Sequence, residues 1–264
     1  MNSLSGHRHD GKLYYFHKGI TWGFISSESF SARISNGGFA FDVAGSSMFP
    51  IHEAEIPLLL GFLNSNVAAY LLRIENPTIS FQVGNLKSLP LIQGSSNTVK
   101  GIDNRVHQLT GLSKDDWDAF EESWGSKILP MLIHIAEHNR NWTVEAAFNQ
   151  WKQEAQDRFD QLKKNEEELN RIFIGLYGLQ DELSPEESDK EVSVRRADLG
   201  RDIRAFMSYF IGVTFGRYSL DTPGLAFAGG DWDASKYTTY QPNKDDVIIL
   251  TDDDYFGDER DIMY

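Results

Sequence analysis

Between Thr143 and Gly178 the residue pattern permits one regular structure, and it is long. Val144, Phe148, Trp151, Ala155, Phe159, Leu162, Leu169, Phe173 and Leu176 follow steps of three and four, with Glu166 falling in the seam. Thr143 is a good N-cap and Gly178 offers a stop. Unbroken, such a helix measures about 50 Å at 1.5 Å per residue. It is either a rigid spacer or coiled-coil arm, or a helix buried along one side of a helical domain. The bulky aromatics exceed what a strict two-stranded seam holds, so the second reading is preferred and places Phe159 in a core. The run from Lys163 to Glu168 marks its solvated face.

The residues around this element are also helical in pattern. Ile102 to Leu109 predicts a short helix, Ser113 caps another containing Trp117 and Phe120, and Pro130 begins or interrupts a further one. Residues 182–197 are acidic and contain Pro185, which predicts a loop. A last helix is expected from about Asp198 to Phe215, burying Ile203, Phe206, Met207, Phe210, Ile211 and Thr214. Arg217, just beyond it, is expected in an ion pair. From Lys244 the chain is strongly acidic, with Val247 to Leu250 predicted as extended.

The first hundred residues have a different rhythm. Residues 12–34 alternate well enough for two strands around a turn near Lys18-Gly19. Asn36-Gly37-Gly38 suits a hairpin end, residues 39–45 read as a third strand, and residues 44–50 as a loop. A helix opens with Pro57 in its first turn and stops near Arg73, because Asn76 precedes a proline. Ile79, Phe81 and Val83 then alternate with polar residues as a strand does. Residues 92–101 form a polar connector and the expected boundary. The prediction is an α+β chain: residues 1–100 carry the β structure, and residues 101–264 form a mainly α-helical domain with one long helix and an acidic tail.

Charge divides the chain at about the same place. The formal net charge is −14 over 264 residues, which argues against simple nucleic-acid binding, since phosphate contacts need cations. Yet residues 1–100 hold seven lysines and arginines against six acids, so nearly all the excess acid lies beyond them. If DNA is touched, the first hundred residues are the better place. With no cysteine in the sequence, disulfides and thiolate metal sites are excluded, which fits a cytoplasmic protein. No apolar run reaches the roughly 20 residues a membrane span needs.

Few motifs carry chemistry. His134-Ile135-Ala136-Glu137-His138 satisfies the inverted zinc-hydrolase spacing H-x-x-E-H, but nothing in the sequence selects a third ligand, so a structural or solvent-facing pair is preferred. The acidic tail lacks the spacing and closing Glu of an EF-hand. There is no Gly-x-Gly loop for a methyl donor or dinucleotide and no phosphate-binding Gly-Lys-Ser/Thr. No cofactor or metal site is expected in this chain.

Several stretches carry a resemblance: ITWGFISSESFSAR, GFAFDVAGSSMFP, LNSNVAAYLLRIENPTISFQVGNLKSLPL, DWDAFEESW, ELNRIFIGLYGLQDELSPE and FGRYSLDTPGLAFAGG. They resemble the PglX family, adenine-specific DNA methyltransferases of BREX phage-defence systems, and more distantly enzymes that fuse cutting with methylation. The family's Asn-Pro-Pro-aromatic catalytic motif is missing; Asn76-Pro77 is followed by Thr78. The resemblance therefore implies a piece of a longer enzyme, cut at both ends and without catalytic residues, whose parent uses S-adenosylmethionine and flips its target base. It implies that residues 1–100 are the later part of a target-recognition domain meeting double-stranded DNA, with Lys18, Arg33, Ser46, Ser47 and Lys87 as candidate contacts. The bland alternative is that Arg33 pairs with a carboxylate and the serines shape a turn. Implied partners are the catalytic domain of the same polypeptide and other defence-system proteins. The competing reading is an acidic helical module that docks to such proteins.

Overall fold

Ser65 decides the shape of the most apolar part of the chain. The expected single helix from Pro57 to Arg73 is two: α1 (Ile56–Leu63) and α2 (Asn66–Glu75), bent by 73°. The Ser65 hydroxyl accepts from the Ala68 backbone N–H at 3.3 Å, capping a new helix where periodicity alone would run on. In the computed structural model, the described residues are 11–26, 29–137 and 143–242, without the side chains of 135–137. The expected strand at Val247 to Leu250, the acidic tail and His138 lie outside them.

Three short strands form an antiparallel sheet: β1 (Gly19–Gly23) in the centre, β2 (Ala32–Ser35) and β3 (Gly45–Met48) on either side. Their registers correct the expected strand positions. Lys12–Tyr14 is one turn of 3-10 helix, and Gly19 begins β1 instead of turning the chain. Phe16 is fixed by backbone bonds, its N–H donating to Phe39 and its carbonyl accepting from Gly38. Gly37 and Gly38 do take positive φ, at 88° and 80°, but they lead away from β2 to a strand on the far side of β1, so no hairpin forms there. The third strand is not 39–45. Asp42 Oδ1 accepts from the N–H groups of Ala44 and Gly45 and turns the chain, so pairing starts at Gly45, in the expected loop.

Ile79 to Val83 is not a strand either. Its pairing is reduced to one bridge, Ile25 with Ser80. A capping box between Gln82 and Asn85 then starts α3 (Val83–Lys87). Residues 92–101 are only partly a connector, because α4 runs unbroken over Ser96–Asp118, through both helices expected there. Gly111 does not stop it. α5 (Pro130–Glu137), α6 (Val144–Tyr177) and α7 (Leu199–Thr214) follow the sequence pattern closely, and Gly178 takes φ 69° at the end of α6. The architecture is α+β.

The chain forms two compact units, one of residues 1–116 and 155–196, the other of 117–154 and 197–264. The stretch 92–101 therefore lies inside the first unit. In that unit Ile20, Trp22, Phe62, Val67, Leu72, Ile102, Val106, Leu169 and Phe173 share one core. Gly61 lets α1 approach α4 closely, since a Cβ there would lie 3.0 Å from Val106. Trp22 Nε1 donates to the Phe81 carbonyl at 2.9 Å, which satisfies the one polar atom of a buried indole. A smaller cluster gathers Phe159, Leu162, Val192 and Val194, with Leu109 and Leu112 against it. Beside it, buried Asp116 accepts from Arg195 Nε at 3.0 Å.

The second unit packs Phe120 edge-on to Trp151 and stacks Tyr209 on Tyr218. Trp151 Nε1 donates to Asp202 Oδ2 at 3.0 Å, and Arg201 Nε donates to Asp202 Oδ1 at 2.6 Å. α7 departs from expectation in its buried face. Tyr209, Val213 and Asp202 are buried, whereas Met207, Phe210 and Ile211 are exposed. Periodicity finds an apolar stripe but not what covers it. Arg217 lies over the Tyr218 ring at 5.4 Å and has no ion-pair partner among the described residues.

Among the described residues no single helix is long and apolar enough to cross a membrane. The bent pair of α1 and α2 reaches the required composition only when taken together, and much of its apolar surface lies in the first unit's core.

Candidate functional site

Strand register sorts the DNA-contact candidates. Residues paired across antiparallel strands share a face, so Arg33, Thr21 and Ser47 make one row across β2, β1 and β3. The opposite face holds Ile20 and Trp22, and Ser46 belongs to that side because it pairs with Trp22. Ser46 is 8% exposed, and its hydroxyl donates to the Val43 carbonyl. Ser47 is half-buried, its hydroxyl donating weakly to Gly45 at 3.3 Å. Lys18 is exposed at the approach to β1, and Lys87 is exposed at the end of α3. The five candidates therefore do not form one cluster: Arg33 and Ser47 share the outer row, with Lys18 next to the start of its central strand.

The cations differ in how they are engaged. Beyond residue 100, several arginines and lysines are held by carboxylates: Arg105 by Glu168, Lys163 and Arg196 by Asp189, Arg195 by Asp116, and Arg201 by Asp202, while others such as Lys127, Lys152 and Arg204 have no ion-pair partner among the described residues. Lys18, Arg33 and Lys87 have no ion-pair partner among the described residues. The bland alternative for Arg33, pairing with a carboxylate, is not what these residues show.

A groove of about 660 Å³ opens over the outer sheet face. Thr21 and Ser47 of the outer row line it, together with His17, Ser35, Asn36, Phe39, Phe41, Asp42 and Phe49. The sequence pointed to Ser47 but not to Asn36, Phe39 or Asp42, which read as turn and strand residues. Nothing short of the β1–β3 register brings them together.

The zinc-spaced histidines have a different setting. His134 is buried and lies 3.2 Å from Glu154 Oε2, an ordinary partner for a core imidazole. Among the described residues no cluster of three or more histidine, aspartate or glutamate side chains is placed to hold a metal ion.

The strongest carboxyl perturbation lies on α6. Burial, and then the charge of Glu187, push the Glu166 carboxyl up to about 8. Its neighbourhood ties the acidic loop to the helix: Asn170 Nδ2 donates to Glu187 at 2.6 Å while Asn170 Oδ1 accepts from the Asn66 N–H. This is an anchoring network.

No family model matches the chain. It is 58% identical over 260 residues, 98% of its length, to the adenine-specific methyltransferase PglX of Lacticaseibacillus casei (strain Zhang). It is 27% identical over 276 residues, 94% of its length, to the adenine-specific methyltransferase BrxX of Escherichia coli O9:H4 (strain HS). The chain covers 21% and 22% of these two proteins, so it spans about a fifth of the length of the curated relatives it matches. Along nearly its whole length, then, the chain resembles one stretch of the PglX-type adenine-specific methyltransferases.

Proposed function

We propose that this chain is a DNA target-recognition and scaffold portion of a site-specific adenine DNA methyltransferase of the BREX or restriction-modification type, acting in phage defence. The relatives' shared name supports the methyltransferase class. The observation that carries the DNA role is the set of uncommitted cations, Lys18, Arg33 and Lys87, in the one part of the chain that is not strongly acidic. In this reading double-stranded DNA meets the first hundred residues, with Ser47 beside Arg33, while Ser46 serves the turn before β3. S-adenosylmethionine and the reacting adenine belong to the catalytic domain of a longer polypeptide, and this chain performs no methyl transfer by itself. Residues 101–264 act as scaffold, in the cytoplasm and away from membranes.

Three cations release only about three counterions, so binding by the chain alone is weak and falls steeply with salt. Fluorescence anisotropy with a labelled duplex, from low to physiological salt, tests this. The double charge reversal Arg33→Glu, Lys87→Glu is expected to abolish low-salt binding while the thermal unfolding profile is unchanged. Undiminished binding by that variant removes the DNA surface from this part of the chain.

A second reading, an acidic module docking to other defence proteins, is favoured by the exposed Met207, Phe210 and Ile211 of α7. It concerns a different part of the chain, so both readings can hold together.

A further inference from the structure

The groove over the outer sheet face holds more hydrogen-bonding capacity than the fold uses. One wall is aromatic: Phe41 and Phe49 lie 5.1 Å apart between ring centroids, and Phe49 stacks on Tyr14 at 5.3 Å. Phe39 stands at the rim, 70% exposed. The side chains of Asn36 and Ser35, which also line the groove, make no hydrogen bond among the described residues. Asp42 is half used. Its Oδ1 accepts from Ala44 and Gly45, whereas its Oδ2 accepts from nothing among the described residues.

These groups narrow what can enter. A phosphate is disfavoured, because Asp42 puts a negative charge on the wall and no lysine or arginine lines the groove. The cations stand outside it, Arg33 on the same sheet face and Lys18 next to His17. A flat heterocycle fits the remaining chemistry. In a duplex its faces are covered by the neighbouring bases, so what it offers to these residues is its groove edge. Its edge must then supply a donor to a carboxylate that is acceptor-only, as the exocyclic amine of cytosine or adenine does. A carboxamide such as Asn36 matches the donor–acceptor pair of adenine.

We infer that this groove reads the major-groove edge of a nucleobase that presents an exocyclic amine there, adenine or cytosine, with Asn36 and Asp42 as the discriminating residues. Lys18 and Arg33 hold the phosphates on either side. The inference rests on the DNA-recognition reading above and adds which residues discriminate and what base chemistry they accept.

The test uses the whole chain at low salt with duplexes carrying a randomised central segment, sequencing the bound fraction for wild type, Asn36→Ala and Asp42→Asn. Wild type is expected to enrich adenine or cytosine at one or more positions. Asp42→Asn keeps the turn, since an amide oxygen still accepts from Ala44 and Gly45, but it exchanges the spare acceptor for a donor. It should move the preference toward a keto base, guanine or thymine, while Asn36→Ala flattens it. At an enriched position, replacing adenine by purine, or cytosine by 2-pyrimidinone, removes only the amine. That should cost wild type about 5- to 150-fold in affinity, and the variants much less. Identical enrichment by all three proteins overturns the inference and leaves the DNA reading standing, as does wild-type binding that depends on Arg33 and Lys87 but enriches no base. No duplex binding by wild type at any salt overturns both.

Discussion

Phe159→Ala is the sharpest probe of the long helix. Phe159 is 3% exposed and packs with Leu162, Val192 and Val194, so its ring fills space between α6 and the later part of the acidic loop. The guanidinium of Arg196 lies 3.8 Å from the ring centroid and covers it from the other side. Truncation removes the ring's transfer free energy and leaves a cavity, about 3–5 kcal/mol for a phenylalanine in a core. The lost cation–π contact adds about 0.5–1 kcal/mol at a partly exposed arginine. Arg196 retains Asp189 at 2.7 Å, so the segment is not cut loose altogether, and the lower half of the range is the better expectation. For a unit of this size each kcal/mol moves the midpoint by roughly 2–4 °C, so a loss of about 3.5–5 kcal/mol lowers it by about 7–20 °C. Urea unfolding followed by hydrogen exchange at amides of the first unit reads the effect where it occurs. A loss below about 1 kcal/mol, outside the range for a buried phenylalanine, would refute the core assignment and favour a helix that seeks a partner along that seam.

Three further outcomes follow from the same reasoning. Glu166 is protonated more readily when folded, so its contribution is favourable at low pH and is lost as pH rises from the ordinary glutamate range through about 8. Glu166→Gln should therefore stabilise the chain at pH 8, on the order of a few kcal/mol at most, and hardly at pH 5; parallel unfolding curves at the two pH values would count against it. Asp116 is 5% exposed and accepts from half-buried Arg195, with half-buried Arg158 at 3.8 Å, so Asp116→Ala removes a charged acceptor they share and should cost about 1.5–3 kcal/mol by denaturant unfolding. Calorimetric titration of the chain with S-adenosylmethionine should give no saturable heat, and a one-to-one isotherm at micromolar affinity would overturn the division of labour proposed here.

Much of the helical half is legible because its signals are local. Thr143, Gly178, Pro130 and Asp198 mark helix ends through capping and backbone preference, which act within a few residues. The β half is not, because its strands are decided by partners. Gly45–Met48 has little intrinsic tendency to extend, yet it pairs with β1, while the more strand-like residues 39–44 are turned aside by Asp42. The alternation at Ile79 to Val83 is genuine but is overruled by the Gln82–Asn85 capping box. For the candidate site, Arg33 and Ser47 were visible as residue types, but their alignment through Thr21 exists only once register is known. The same gap hid Asn36 and Asp42. Nor does the sequence foretell that residues 155–196 return to the first unit, so a truncation at Gly101 would remove part of that unit.

Asn64, at the foot of α1, has a consequence for how this protein meets copies of itself. Its side-chain amide donates to the Ala32 carbonyl at 3.0 Å and accepts from the Ala32 N–H at 2.9 Å, the two bonds a neighbouring strand would offer. β2 is an outer strand, and Ala32 is its first residue, so the amide occupies a position where an incoming chain would begin to zip. Polymerisation by strand addition needs two open margins on every subunit, one to receive and one to give. Asn64 closes that position at the start of β2, and an Asn64→Ala substitution would leave the two backbone groups of Ala32 open to another strand.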